Sequence, residues 1–165
     1  MQEPTQDDWF LAANDAWDAG AHKKALSLFL KAAAAGEIHA LNSVGYFLDH
    51  GIGVKKNAAA ARDWYRKAAK AGDAAGCANL AICYRDEGNF RWARFWFERA
   101  YAQGDGDAAL ELGRLFLWEG ANRNDHKVVH YLGKAAASPS ITPNGRKEAQ
   151  ALLKSLGRKQ SPSAR

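Results

Sequence analysis

Few side chains in this chain have both the type and the spacing to do chemistry. Cys77 and Cys83 lie six residues apart on one expected helix, separated by about 9 Å of rise. They face different directions, so they can neither pair with each other nor act as a C-x-x-C metal pair. They read as small interior residues of a reduced cytosolic protein. His126 and His130 are spaced i, i+4, which places both on one helix face at metal-ligand spacing. Asp125 is beside them, yet no third strong ligand converges, and the pair reads as surface histidines. Gly51-Ile-Gly53-Val-Lys-Lys has glycines like a phosphate loop but lacks the G-K-[ST] ending and a preceding strand, so it reads as a turn. No Ser-His-Asp pattern, paired-carboxylate motif or H-E-x-x-H stands out. The expectation is a chain that is not an enzyme and holds neither cofactor nor metal.

The elements that position these residues are helices. Apolar and small residues recur at helical spacing, most clearly over Ala40 to Gly72, which reads as two helices joined by a turn. Gly51 and Gly53 fall where the reversal needs positive φ, and Gly72 falls where a C′ glycine would end the second helix. Small Gly45 and Ala68 are expected to let the two backbones approach closely. One hairpin cannot bury both its faces, and copies are present. Lys31-Ala-Ala to Gly36, Lys67-Ala-Ala to Gly72 and Arg99-Ala-Tyr to Gly104 share one internal spacing, with Lys134-Ala-Ala as a fourth that has Pro139 in the glycine column. Matched columns include Ala25, Ala61, Ala93 and Val128, then Phe29, Tyr65, Phe97 and Leu132, and in the first helices Ala13, Gly45, Ala81 and Gly113.

Those columns resemble the tetratricopeptide class and, more closely, the Sel-one-like repeat (SLR) family. The copy at 40–72 carries Ala40, Val44-Gly45, Gly51-x-Gly53-Val54, Ala61, Trp64-Tyr65, Lys67-Ala68-Ala69 and Gly72. Leu48 stands in the family's Tyr column and Asn57 in its Asp column. Copies one and three lack the G-x-G-V loop, and copy four has only Glu119-Gly120 there. The resemblance implies an all-α, right-handed solenoid of four antiparallel helix hairpins plus a C-terminal capping helix. It implies protein binding and no shared catalytic motif.

On this reading, 1–157 is a single repeat domain with copies at about 5–36, 37–72, 73–104 and 105–138, and a cap at about 143–157. Helices are expected near 6–19, 22–35, 38–49, 58–71, 74–87, 90–103, 108–119, 125–137 and 146–156, with Asp125 as an N-cap. In the last, Ala149, Leu152, Leu153 and Leu156 share one side and would cover the open end of the array. Residues 158–165 read as a disordered basic tail.

The chain has 165 residues, 47% hydrophobic and 25% charged, with a net charge of +5. That whole excess sits in residues 139–165, while residues 1–20 hold Glu3, Asp7, Asp8, Asp15 and Asp18 and no base. The tail could touch nucleic acid, but a solvated cap is the simpler reading and nucleic acid is not an expected partner. No apolar run reaches the roughly 18 residues of a membrane span. The acidic start lacks the basic n-region of a signal peptide, so a cytoplasmic protein is expected.

In tetratricopeptide-like solenoids the first helices line the concave face. By register, the side chains spared from packing there are Phe10, Asn14, Trp17 and Asp18, then Asn42, Tyr46 and Asp49, then Arg85, and finally Arg114 and Trp118. His39, His50, Ile82, Asp107, Leu110 and Leu117 fall in the same register. Aromatics mixed with amides and arginines are typical of binding surfaces. A bacterial-type scaffold or adaptor holding a protein or peptide segment in that groove is the leading expectation. The alternative is a dedicated inhibitor, of the immunity type, that blocks one folded toxin or enzyme. Trp92 and Phe95 occupy mostly polar columns and are expected on the outer face, where they would support weak self-association or a partner contact.

Overall fold

The computed structural model describes residues 5–118 and 124–160. Glu119 and Gly120 of the fourth copy, and the tail from Ser161 onward, lie outside them. Among the described residues there are nine helices and no strand. They are α1 (Gln6–Asp18), α2 (His22–Ala34), α3 (Ile38–His50), α4 (Ala58–Lys70), α5 (Ala74–Asp86), α6 (Phe90–Ala102), α7 (Gly106–Trp118), α8 (Asp125–Ala137) and α9 (Pro143–Gln160). The fold is all-α and built from consecutive antiparallel hairpins of the SLR class. No described helix is long and apolar enough to cross a membrane.

Local chemistry accounts for the helix ends. Thr5 caps α1 in a reciprocal box, its hydroxyl accepting from the Asp8 N–H while the Asp8 carboxylate accepts from the Thr5 N–H. Asn57, in the family's Asp column, caps α4 by accepting from the Ala60 N–H. Asn124 rather than Asp125 caps α8, accepting from the Lys127 N–H; Asp125 is the first helical residue. α7 starts two residues earlier than its apolar pattern suggests, because the Asp105 carboxylate accepts from the Asp107 and Ala108 N–H groups. α9 is longer than expected at both ends. Its start is set by Pro143, whose fixed φ suits a first helical turn, and by Thr142 Oγ1 accepting from the Gly145 N–H. Gly51 and Gly53, with φ of 69° and 66°, make the reversal after α3.

The chain forms two compact units, one ending at Cys83 and the other beginning at Tyr84, within α5. In the first, α1 packs on α2, α2 on α3 and α3 on α4. Its core is small side chains closed around rings: Ala13, Ala25, Ala32 and Ala40 with Phe29 and Phe47, all fully buried. Gly45 lies close against α4, as its size suggested: an added Cβ would come within 2.6 Å of Tyr65 Cδ1 and 3.3 Å of the Ala61 carbonyl oxygen. Ala68 faces Gly76 at the start of α5, where a Cβ on Gly76 would come within 2.5 Å of Ala68 Cβ.

In the second unit, α7 is the central element and packs on α6, α8 and α9. Phe116, Leu112, Leu132 and Val128 are buried with Ala149 and Leu156 of α9, the side of α9 expected to close the array. The proline-rich break before α9 is itself packed. Ile141 is buried, Asp107 accepts from the Thr142 N–H and hydroxyl, and Arg146 donates to the Ser138 carbonyl.

Candidate functional site

In the first unit, the side chains spared from the repeat columns come together in pairs across α1 and α3. Trp17 stacks on Tyr46 with ring centroids 5.7 Å apart, and Tyr46 stacks on His50 at 4.0 Å. Phe10 lies 6.4 Å from His39. Helix geometry explains this, because i, i+4 and i, i+7 positions share a face, and Phe10, Asn14 and Trp17 satisfy it on α1. Phe10, Trp17 and Tyr46 are half-buried while His39 and His50 are exposed, and Trp17 also meets Phe29 and Phe47 edge-on at 6.1 and 4.9 Å. Asn14 donates to the Phe10 carbonyl on its own helix. Asn42 accepts from the Asn79 amide at 2.9 Å, which joins α3 to α5. Asp49 is half-buried and Asp18 exposed.

The Asp49 charge and, above all, burial push the Tyr65 hydroxyl far above the ordinary phenol range. Tyr65 therefore stays neutral, as a core ring should.

In the second unit, Arg85 and Arg114 share an acidic partner that sequence register alone does not single out. Arg85 donates to Glu111 at 2.7 Å. Arg114 donates to Glu111 and, in a two-pronged contact, to Glu148 of α9. The Glu148 contact and the Glu111 charge hold the Arg114 guanidinium above its ordinary pKa against the opposing effect of burial. The Glu111–Arg114 spacing of i, i+3 is legible in the sequence as a helix-face pair; Glu148 is not, since it reaches α7 only because α9 folds back.

Around this network is a cavity of about 350 Å³, lined by the four charged groups together with Leu115, Leu117, Trp118 and Leu152. Trp118 is 66% exposed. Leu110 and Asp107 shared its register but do not join it. Leu110 is core, at 4% exposure, and Asp107 is occupied by Thr142.

Two aromatic residues of α6 are exposed, as their column pattern suggests. Trp92 and Phe95 are 46% and 41% exposed and meet edge-on at 5.4 Å. Trp92 also stacks on Tyr84 at 6.1 Å. Arg91, Trp92 and Phe95 line a shallow cavity of about 260 Å³. Arg99 lies over Phe95 and Trp96, whereas Arg94 turns to the Phe116 ring.

The chemistry-bearing residues are dispersed. Cys77 is buried and Cys83 half-buried, with Cys77 Sγ directed at the Ala69 carbonyl. His126 and His130 are exposed. Among the described residues, no three His, Cys, Asp or Glu side chains converge on a common point. What the arrangement offers is apolar rings, leucines and fixed charges on helix faces.

Comparison with known proteins agrees with the repeat pattern. No curated protein matches the sequence significantly. Among solved structures, the chain is similar to a Sel1 repeat protein from Oxalobacter formigenes, at 25% identity and a TM-score of 0.81, over 94% of this chain and 66% of that one. It is also similar to c5321, a protective antigen of uropathogenic Escherichia coli with an SLR fold, at 25% identity and a TM-score of 0.79, over 96% of this chain and 34% of that one. The chain thus spans less than two thirds of either protein. The family model of the Sel1 repeat matches residues 21–37, 38–73, 74–105 and 106–140, a register set by the same columns that end in Gly36, Gly72 and Gly104, and the chain belongs to the Sel1 repeat family.

Proposed function

We propose that this chain binds a segment of another protein through the faces of its first helices, and that it does so without catalysing a reaction. Sel1 repeats generally mediate protein–protein interaction, in a family that is generally non-enzymatic. The observation that carries the reading for this chain is the cavity beside Trp118. It combines leucine walls with an exposed indole and charged groups held in place by one another. An apolar side chain of a partner would desolvate the leucines and the indole. The fixed Arg85, Glu111, Arg114 and Glu148 groups would select the polar groups beside it. The paired rings Trp17 and Tyr46 offer a second contact surface of the same character.

Quantitative affinity capture from the source cell, with wild type, Trp118→Ala and Tyr46→Ala, tests this. A partner that uses these faces should drop at least about tenfold in recovery with one of the variants, as a loss near 1.4 kcal/mol requires. Several partners of low affinity would mark an adaptor, and one folded partner held tightly a dedicated blocker. Equal recovery of every captured protein by all three chains would overturn the proposal.

A further inference from the structure

Two exposed helix faces remain outside that reading, and their patterns are opposite in sign. On α1, Leu11 is 63% exposed. At 100° per residue, Asp7, Asp18 and Asp15 flank it within a quarter of the helix circumference, and all three are exposed. The helix has four carboxylates and no lysine or arginine. On α6, Arg91 and Arg99 flank Phe95 on its two sides by the same rule, with Trp92 just beyond Arg99, and all four are exposed. That helix has three arginines against the single Glu98, which lies at the edge of the stripe near the Tyr131 hydroxyl.

We infer that α1 of one copy docks on the outer face of α6 of a second copy, in a head-to-tail contact. Leu11 would enter the cavity of about 260 Å³ lined by Arg91, Trp92 and Phe95, and the flanking aspartates would meet Arg91 and Arg99. Charge complementarity points to a second copy as the occupant. An apolar residue with carboxylates on both sides fits an apolar pair with guanidiniums on both sides, and like-signed faces would repel. The apolar contact supplies the affinity, because exposed ion pairs add little; the charges set orientation and reject an α6-to-α6 pairing. Because the contact joins two different patches, it either closes reciprocally in a two-fold pair or passes on from copy to copy.

A contact of one helix on another falls at the small end of protein interfaces, so dissociation on the order of 0.1 mM is expected. The test is sedimentation equilibrium across that range with the full chain and two surface variants, Leu11→Ala/Asp15→Lys and Arg91→Glu/Phe95→Ala. All four positions are exposed, and circular dichroism checks that helicity is kept. Wild type should rise above the monomer mass of 18.0 kDa, with at most a modest weakening in about 1 M salt, where screening reaches about 3 Å but the apolar contact persists. Each variant alone should stay monomeric. An equimolar mixture should form a dimer and stop there, since each variant retains one intact half. A wild type that stays monomeric would overturn the inference. So would either variant associating alone, or a mixture that remains monomeric beside an associating wild type.

Discussion

Asp73 and His39 form a contact that ties one hairpin to the start of the next. The Asp73 side chain is 3% exposed, and its Oδ2 accepts from His39 Nδ1 at 2.7 Å. Its Oδ1 accepts from the Gly76 N–H and so caps α5. A carboxylate can only accept, so one buried group satisfies two donors from different elements.

Asp73→Ala should therefore lower stability by about 1–2 kcal/mol, the range for losing a helix cap. Asp73→Asn, which can still cap, should lose less. Urea midpoints of the three chains check this, and identical midpoints for wild type and Asp73→Ala would refute the role.

Gly76→Ala and Gly133→Ala form a matched pair. Both sit in helices, Gly76 in the first turn of α5 and Gly133 in the interior of α8, and each gains a helix-propensity term of up to about 1 kcal/mol. A Cβ at Gly76 would come within 2.5 Å of Ala68 Cβ and 2.9 Å of the Ala69 backbone nitrogen, while at Gly133 it would meet nothing within 4 Å. The difference between the two variants isolates the steric cost, expected at about 1–3 kcal/mol. Thermal or urea unfolding that ranks Gly76→Ala equal to Gly133→Ala would show that the α4–α5 contact is looser than described.

Two carboxylates near helix starts should respond to pH in opposite directions. Hydrogen bonds from the Thr5 backbone and hydroxyl hold Asp8 below the ordinary carboxylate value. The stability it adds is present above its unfolded pKa, near 3.9, and is lost as pH falls through the depressed folded value. Burial raises Asp105, outweighing the Ala108 and Asp107 N–H groups that favour its charge. The folded chain then holds that proton more tightly than the unfolded chain, so stability declines as pH rises from the unfolded value through the folded one. Unfolding from pH 3 to 8 should show the advantage of wild type over Asp8→Asn growing with pH, and its advantage over Asp105→Asn shrinking.

Arg114 and Glu148 are both partly exposed, with side chains at 36% and 42%. A double-mutant cycle to alanine should give a coupling of about 0.5–1 kcal/mol, the upper range for a two-pronged but solvated pair. A coupling of zero would mean that α9 is held by its leucines alone.

Helix placement was legible in the residues because it depends on local terms. Ala, Gly and aromatic residues at fixed columns place the first eight helices to within two residues of their observed ends, while the caps Thr5, Asn57 and Asn124 emerged only in the structure. The exposure of Trp92 and Phe95 was legible for a related reason: a repeat column that is polar elsewhere marks solvent. Leu110 was misplaced because register separates faces only coarsely, and a leucine at the edge of the first-helix face is drawn into the core by α9. The Glu148 partner of Arg114 and the Asn79 partner of Asn42 were not legible, since both are more than 30 residues away in sequence.

By itself the sequence determined the family, the hairpin periodicity and the excess of carboxylates on α1, because these follow from residue order and composition alone. Only the tertiary structure decided that Glu111 and Glu148 hold the two arginines in place. It also decided that Gly45 lies under Tyr65 while Ala68 meets Gly76, and that Leu115, Trp118 and Leu152 surround an open space. Such contacts depend on which helices meet and at what distance, and packing across long sequence separations sets that rather than any local preference.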